Sequence, residues 1–351
     1  MGGRPVLFLS YSGVLGGAER VLLDCAVRLG GPVLVACPEG PLAAAARTAG
    51  LPVEPIRNRS LRMRGARAAA ARGLGGLALD TARLTRRHRP AALLAWGSRA
   101  VLAAAAAPLS GTPWLAVHHD LLPSAGVAAA VRPATLRADG AVATSEAVAR
   151  DLRRGGVTIL HPGVDLAAWP AQGAPEGPPR ALVLGALVPW KRADLALEIA
   201  ARVPQLGLEL AGAPLPGDGD GFAGTLRERA AAPDLAGRVT FAGALSDPRP
   251  ALARAHVLLH CADAEPFGMA LLEALASGRP VAAPAAAGPL EIVSGDAGRL
   301  YEPGDADDGA RAVRALLGSP GARAAARARA ERFPVEASAA RLRAAVEAIA
   351  R

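Results

Sequence analysis

Residues 180–192 read RALVLGALVPWKR: a short apolar-rich run over Arg180–Leu184, a glycine at Gly185, and a basic pair leading into apolar residues at helical spacing. A short apolar run closed by glycine and followed by an amphipathic helix is one βα unit. The same unit recurs in both directions. Downstream, residues 206–210, 238–241, 256–261 and 280–283 read as buried strands, with helices such as 193–203 and 269–277 between them. Upstream, residues 5–10, 32–37, 91–96, 114–118, 140–145 and 157–161 repeat the rhythm. Strands that alternate with helices need crossover connections, which are right-handed and give parallel sheets covered on both faces.

The stretch 171–179, AQGAPEGPP, reads as a linker between the two series. The expected organisation is therefore α/β: a first domain over 1–170, a second over 171–334, and a final helix over 335–351, set off by Pro334, that packs back toward the first domain. Each domain is expected to be a Rossmann-like, doubly wound parallel sheet, the two facing across a cleft. Such sheets bind ligands at the carboxyl ends of their strands, so candidate residues are sought there.

Composition narrows the functional classes. The chain has 351 residues, long enough for two cores, and is 51% apolar but only 3% aromatic, so Ala, Leu and Val must do the packing. The longest apolar stretch, 101–109, is too short to cross a bilayer, and no signal-peptide pattern opens the chain. Three scattered cysteines, Cys25, Cys37 and Cys261, read as buried free thiols of a reducing compartment, and a cytoplasmic location is expected. The net charge is +9, yet no nucleic-acid-binding motif accompanies the arginines; nucleic acid is set aside in favour of a phosphorylated substrate or an anionic lipid face. Of the forty basic residues, Lys191 is the one lysine.

Two motifs carry chemistry. In Gly185–Arg192 the glycine permits a tight turn, and Lys191 falls at the start of the next helix, where an ammonium beside the positive end of the helix dipole makes an anion site. In 265–281, EPFGMALLEALASGRPV, Glu265 precedes a helix and Glu273 lies within it. The turn Pro266-Phe267-Gly268 offers backbone N–H groups to a diphosphate at that helix's N-terminus, and flanking carboxylates suit a sugar on one side and a ribose on the other. Capping and solvation of the helix is the plain alternative for the two glutamates. The pair Gly16-Gly17 allows close backbone approach to an anion, or is an ordinary helix entry.

GGAER (16–20), HPGVD (161–165), GALVPWKR, EPFG with its following glutamate, and GPLEIV…G…PGD (288–305) occur in this order over nearly the whole chain. Together they resemble glycosyltransferase family 4, retaining enzymes of GT-B architecture. The resemblance implies that Lys191 holds the leaving diphosphate, Glu265 approaches the transferred sugar, and Glu273 holds the ribose hydroxyls. It further implies that Phe267 and Gly268 touch the sugar through their backbone, and that Gly16 and Gly17 approach the phosphates. One departure stands out: the arginine usual after Gly185 is Ala186 here, and Arg192 is the residue placed to compensate. By the same resemblance a histidine ends strand 114–118 near the sugar; of His118 and His119, His118 is expected in that role.

The implied donor is a nucleoside-diphosphate sugar, GDP-mannose or a UDP-sugar. The implied acceptor is a hydroxyl of a glycan, a lipid-linked or a small molecule. No metal or other cofactor is expected: Asp218-Gly219-Asp220 spells D-x-D but reads as a turn, and the tandem histidines have no partners for a metal. Arg57 to Arg72 holds six arginines and no acid, either a solvated helix face or one that docks on an anionic membrane. The rival readings are a non-catalytic scaffold of the same architecture and a nucleotide-sugar epimerase.

Overall fold

The computed structural model describes residues 3–59, 67–215 and 220–350, without the side chains of 67–69 and 220. The chain divides into two compact units: residues 1–163 with 335–351, and residues 164–334.

The first unit holds a sheet of seven parallel strands. They are β1 (Val6–Ser10), β2 (Val33–Pro38), β3 (Val53–Ile56), β4 (Ala92–Trp96), β5 (Trp114–His118), β6 (Gly140–Ala143) and β7 (Val157–Ile159), in the order β3-β2-β1-β4-β5-β6-β7. The order reverses between β1 and β4, which places the ends of these strands at the switch point of a doubly wound sheet. Strands β1, β2, β4 and β5 are buried along their whole length, as expected of parallel strands covered on both faces. The terminal helix Val335–Ile349 belongs to this unit, where the Arg343 guanidinium donates to the carbonyl of Arg28 (2.7 Å) and Ser338 Oγ to that of His161 (2.6 Å).

The second unit repeats the plan with six parallel strands: β8 (Arg180–Leu184), β9 (Gly207–Ala211), β10 (Val239–Phe241), β11 (Val257–Leu259), β12 (Val281–Pro284) and β13 (Gly298–Tyr301), in the order β10-β9-β8-β11-β12-β13. Its core is built by the small and branched side chains that the composition supplies: Leu195, Ile199, Leu208, Leu210 and Val313 on one face, Leu271, Leu272, Leu275, Phe267 and Phe333 on the other.

The division falls at Gly163/Val164, ahead of the expected boundary at 170/171. The stretch 171–179 does not behave as a linker, because its polar backbone is held by unit 2: Gln172 N–H donates to the carbonyl of Ser277 (3.1 Å), while Arg323 and Arg279 donate to the carbonyls of Gln172 and Gly173 (2.7 Å each). Arg279 is completely buried for this purpose, and its guanidinium also bonds the carbonyls of Leu252 and Ala253. The three cysteines are buried free thiols, and burial pushes Cys25 and Cys261 up to about 12.

Candidate functional site

The site assembles at the carboxyl ends of β8, β11 and β12. After β8 the chain turns at Gly185, whose φ of +151° lies outside the range ordinary residues favour. A second glycine makes this turn possible. A Cβ on Gly212, just past β9, would lie 1.7 Å from the carbonyl oxygen of Gly185, so the two strand ends approach more closely than any side chain allows. The hydrogen bonds Gly185 N–H to Ala211 (3.0 Å) and Leu187 N–H to Ala213 (2.9 Å) lock that approach. The segment then forms a single 3-10 turn, Pro189–Lys191, which delivers Lys191 beside the Gly185 backbone.

After β11 the loop 260–268 meets this turn. Asp263 N–H donates to the carbonyl of Trp190 (3.0 Å), and the Lys191 ammonium binds Glu265 Oε2. The ammonium also stands 4.2 Å over the exposed indole of Trp190, a cation–π contact. Glu265 is largely buried. Burial by itself would raise its carboxyl, but the His260 imidazole and the Lys191 charge outweigh it and hold the group down at about 2. A third segment steadies the loop: Gly288 N–H donates to the Glu265 carbonyl (2.9 Å), and Gly288 packs so closely on Phe267 that a Cβ there would lie 2.3 Å from the Phe267 carbonyl oxygen.

Phe267 turns its ring inward, edge-on to Phe333 at 6.1 Å, which leaves its backbone for the site. Gly268 follows with φ +116° and opens the helix Met269–Ala276. Glu273 sits within that helix at 7% exposure. Lys191, Glu265, Phe267, Gly268, Gly185 and Glu273 thus all belong to the strand ends of unit 2 or the helix that leaves them. Two residues that the sequence reading did not name, His260 and Gly212, join them.

Arg192, the residue expected to compensate for Ala186, is turned away from Lys191. It has a left-handed backbone (φ +53°) that starts the helix Ala193–Ala201, and its guanidinium is committed to Asp194 (3.1 Å) and Asp263 (3.0 Å). The substitution at 186 therefore leaves Lys191 as the cation of this turn.

In unit 1, Gly16 is the N-cap and Gly17 the first residue of the helix Gly17–Arg28. The buried Glu19 carboxylate accepts from the Gly16 N–H (3.0 Å), and the Trp96 indole donates to the carbonyl of Ala18 (3.2 Å), so this glycine entry is braced from below. The expectation for His118 is corrected. As the last residue of a strand buried on both faces it is 1% exposed, its Nε2 lies 3.0 Å from Thr135 Oγ1, and burial drives its imidazole down to about 4. Its ring is thus turned into the core of unit 1 and not toward the solvent-facing strand ends. His119 points the other way, stacked on Trp96 at 6.4 Å over the Gly97 turn, with Nδ1 3.1 Å from Asp120; despite burial, Asp120 raises it above the ordinary histidine value.

Among the described residues no three His, Cys, Asp or Glu side chains gather as metal ligands, and no helix is long and apolar enough to cross a membrane. Asp218 and Gly219 of the D-x-D stretch, and residues 60–66 of the arginine run, lie outside the described residues. Arg59 at the edge of that run is paired with Asp80 (2.6 Å).

The family described as "Glycosyltransferase Family 4" matches residues 15–168, and "Glycosyl transferases group 1" matches residues 168–333. The chain belongs to this family of glycosyltransferases. Among curated proteins it is 35% identical over 188 residues to a D-inositol 3-phosphate glycosyltransferase of Mycolicibacterium paratuberculosis, covering 50% of this chain and 42% of that protein. It is 33% identical over 144 residues to the lipopolysaccharide core biosynthesis glycosyltransferase LpsE of Rhizobium meliloti, covering 41% of each. The matched part thus spans less than half the length of these relatives. Among solved structures, Anabaena HepE in complex with UDP and glucose superposes with a TM-score of 0.85 at 23% identity, over 98% of this chain and 99% of that one. The fold is that of the GT-B class.

Proposed function

We propose that the protein is a retaining glycosyltransferase that binds a nucleoside-diphosphate sugar at the strand ends of unit 2 and passes the sugar to a hydroxyl of an acceptor carried by unit 1. The observation that supports this most directly is the Lys191–Glu265 pair, an ammonium and a carboxylate brought from separate loops to the carboxyl ends of two adjacent parallel strands, beside the N-terminus of the Met269–Ala276 helix. An ammonium and backbone N–H groups stabilise charge that develops on a departing diphosphate. Glu265 would accept hydrogen bonds from the sugar and Glu273 from the ribose. The anomeric C–O bond to the diphosphate breaks, a C–O bond to the acceptor forms on the same face, and the acceptor's proton passes to a phosphate oxygen. This sequence needs neither a metal nor a covalent protein intermediate.

HepE is seen with UDP and glucose, and the mycobacterial relatives are named for a phosphorylated polyol acceptor. These favour a UDP-sugar over GDP-mannose as the donor tested first, and a small phosphorylated acceptor over a glycan or lipid-linked one. The test is a thermal-unfolding screen against UDP, GDP, ADP and dTDP, with Lys191→Ala and Glu273→Ala alongside, since a ligand that binds only the native state raises its Tm. Stabilisation of the wild type by one nucleotide, lost in both variants, is expected. No response at millimolar nucleotide would refute the donor site and move a non-catalytic scaffold ahead of the enzyme.

A further inference from the structure

Glu265 Oε2 is shared. It binds the Lys191 ammonium, and it also lies 3.3 Å from Nε2 of His260, the first residue beyond β11. The His260 backbone is fixed on both sides: its N–H donates to the carbonyl of Ala282 (2.8 Å) and its carbonyl accepts from the buried Tyr301 hydroxyl (2.6 Å). The residue is 6% exposed, so its ring has little freedom to leave. The contact does not meet hydrogen-bond geometry, and among the described residues Nε2 makes no hydrogen bond, which leaves it a buried polar atom beside Glu265 with no other partner.

We infer that His260 is a positioning residue for the proposed reaction, holding the Glu265 carboxylate so that Lys191 is free to exchange it for the donor's diphosphate. The inference rests on the proposed function. A buried carboxylate that loses one partner without another carries an uncompensated charge, which is strongly unfavourable. Were Lys191 the only partner of Oε2, each approach of the ammonium to a phosphate would leave Glu265 in that state, and the pair would resist opening. With the imidazole already beside it, the carboxylate has a polar partner to close on while the ammonium turns to the phosphate. It also keeps its orientation toward a bound sugar. His260 touches neither donor nor acceptor in this scheme; it acts through Glu265.

The test uses the full chain, with the nucleotide that stabilises it in the screen, UDP first, and calorimetric titration of the affinity. His260→Asn, whose amide stops short of the Nε2 position, and His260→Leu are expected to weaken UDP binding about tenfold. His260→Gln, whose amide reaches that position, restores most of it. In a Glu265→Gln background, His260→Asn is expected to change nothing further, because the path through the carboxylate is gone. A structural role would lower Tm in all three variants and add to the effect of Glu265→Gln; that additivity overturns the proposal. A second readout does not depend on the nucleotide. In 13C spectra the Glu265 carboxyl is expected to titrate at higher pH in His260→Asn than in wild type and to return in His260→Gln; an unchanged midpoint refutes the pairing itself. If no nucleotide binds the wild type, the donor reading falls and His260's role in it falls too, while the carboxyl titration still decides whether the pair exists.

Discussion

Replacing Gly212 by alanine tests the close strand approach that builds the site. The new Cβ would start 1.7 Å from the Gly185 carbonyl oxygen, where real contacts essentially never fall below 3.0 Å, so the two backbones must part by more than an ångström. The obstacle is backbone, not the end of a flexible side chain, and relief must come from the turn itself. Overpacking of this kind costs about 1–3 kcal/mol. The two hydrogen bonds that flank the contact, Gly185 to Ala211 and Leu187 to Ala213, contribute about 1 kcal/mol each and are strained with it. A loss of about 3–5 kcal/mol in a unit of this size lowers Tm by roughly 6–20 °C. Because the same turn carries Lys191, nucleotide binding should weaken beyond what instability alone explains. Gly224→Ala is the control: nothing lies within 4 Å of its added Cβ in the helix Asp220–Ala230, and alanine there should raise stability by about 0.5–1 kcal/mol. Thermal unfolding followed by circular dichroism, with and without UDP, measures both effects. A Gly212→Ala protein that melts within about 2 °C of wild type would sink the argument for the contact. One that melts low but binds UDP normally would sink the coupling of the turn to Lys191.

Three further outcomes are expected. Arg192→Ala should leave UDP affinity nearly unchanged while Lys191→Ala abolishes the thermal shift, since the Arg192 guanidinium is held by Asp194 and Asp263 and away from the phosphate role; comparable losses in a titration of both would contradict this. Acid should act on the two units in separate windows. The depressed His118 contributes stability that is present above pH 6.5 and lost as pH falls toward about 4, and the depressed Glu265 contributes stability present above 4.5 and lost toward about 2, at most about 1.4 kcal/mol per pH unit in each window. Stability against pH for His118→Gln and Glu265→Gln should each flatten in its own window, and coincident curves for all three proteins would refute the assignment. Lys191→Arg should preserve the charge yet bind UDP more weakly than wild type in calorimetry, and equal affinity would refute the exchange argument.

Much of this could be read from the chain. The strands of both central sheets announced themselves as apolar runs closed by glycine or polar residues, and Lys191, Glu265 and the Phe267-Gly268 turn lie at the strand ends where those runs stop. Two strands did not announce themselves. Val53–Ile56 contains Pro55 and Glu54, and Gly298–Tyr301 contains Arg299; each is an edge strand, half-exposed, and lacks the apolar run that marks a buried one. Adjacency misled at Arg192, because a left-handed residue between the 3-10 turn and the next helix sends its side chain to the aspartates and not alongside Lys191. It misled again at His118 and His119, where side chains of successive residues take opposite faces, so one histidine enters the core and its neighbour the Trp96–Gly97 turn. Gly212 and Gly288 were legible as glycines but not as contacts, because what forbids a Cβ at each is the backbone of a residue distant in sequence.

The single lysine acquires a reason from this geometry. The chain meets every other demand for positive charge with arginine, including the buried Arg279 that ties three carbonyls. At position 191 a guanidinium would face the same Glu265 carboxylate, and its planar fork would pair with both oxygens at once. Such a pair is strong because it is bidentate, and for the same reason it is slow to give up a carboxylate for a phosphate. An ammonium is a point donor that binds one oxygen and can be drawn to another without breaking two aligned bonds. It also fits over the Trp190 ring at 4.2 Å while it does so. With alanine at 186 and Arg192 paired to Asp194 and Asp263, the proposed function asks one cation of this turn to alternate between Glu265 and a phosphate, and on that proposal lysine suits the position better than the arginine the rest of the chain prefers.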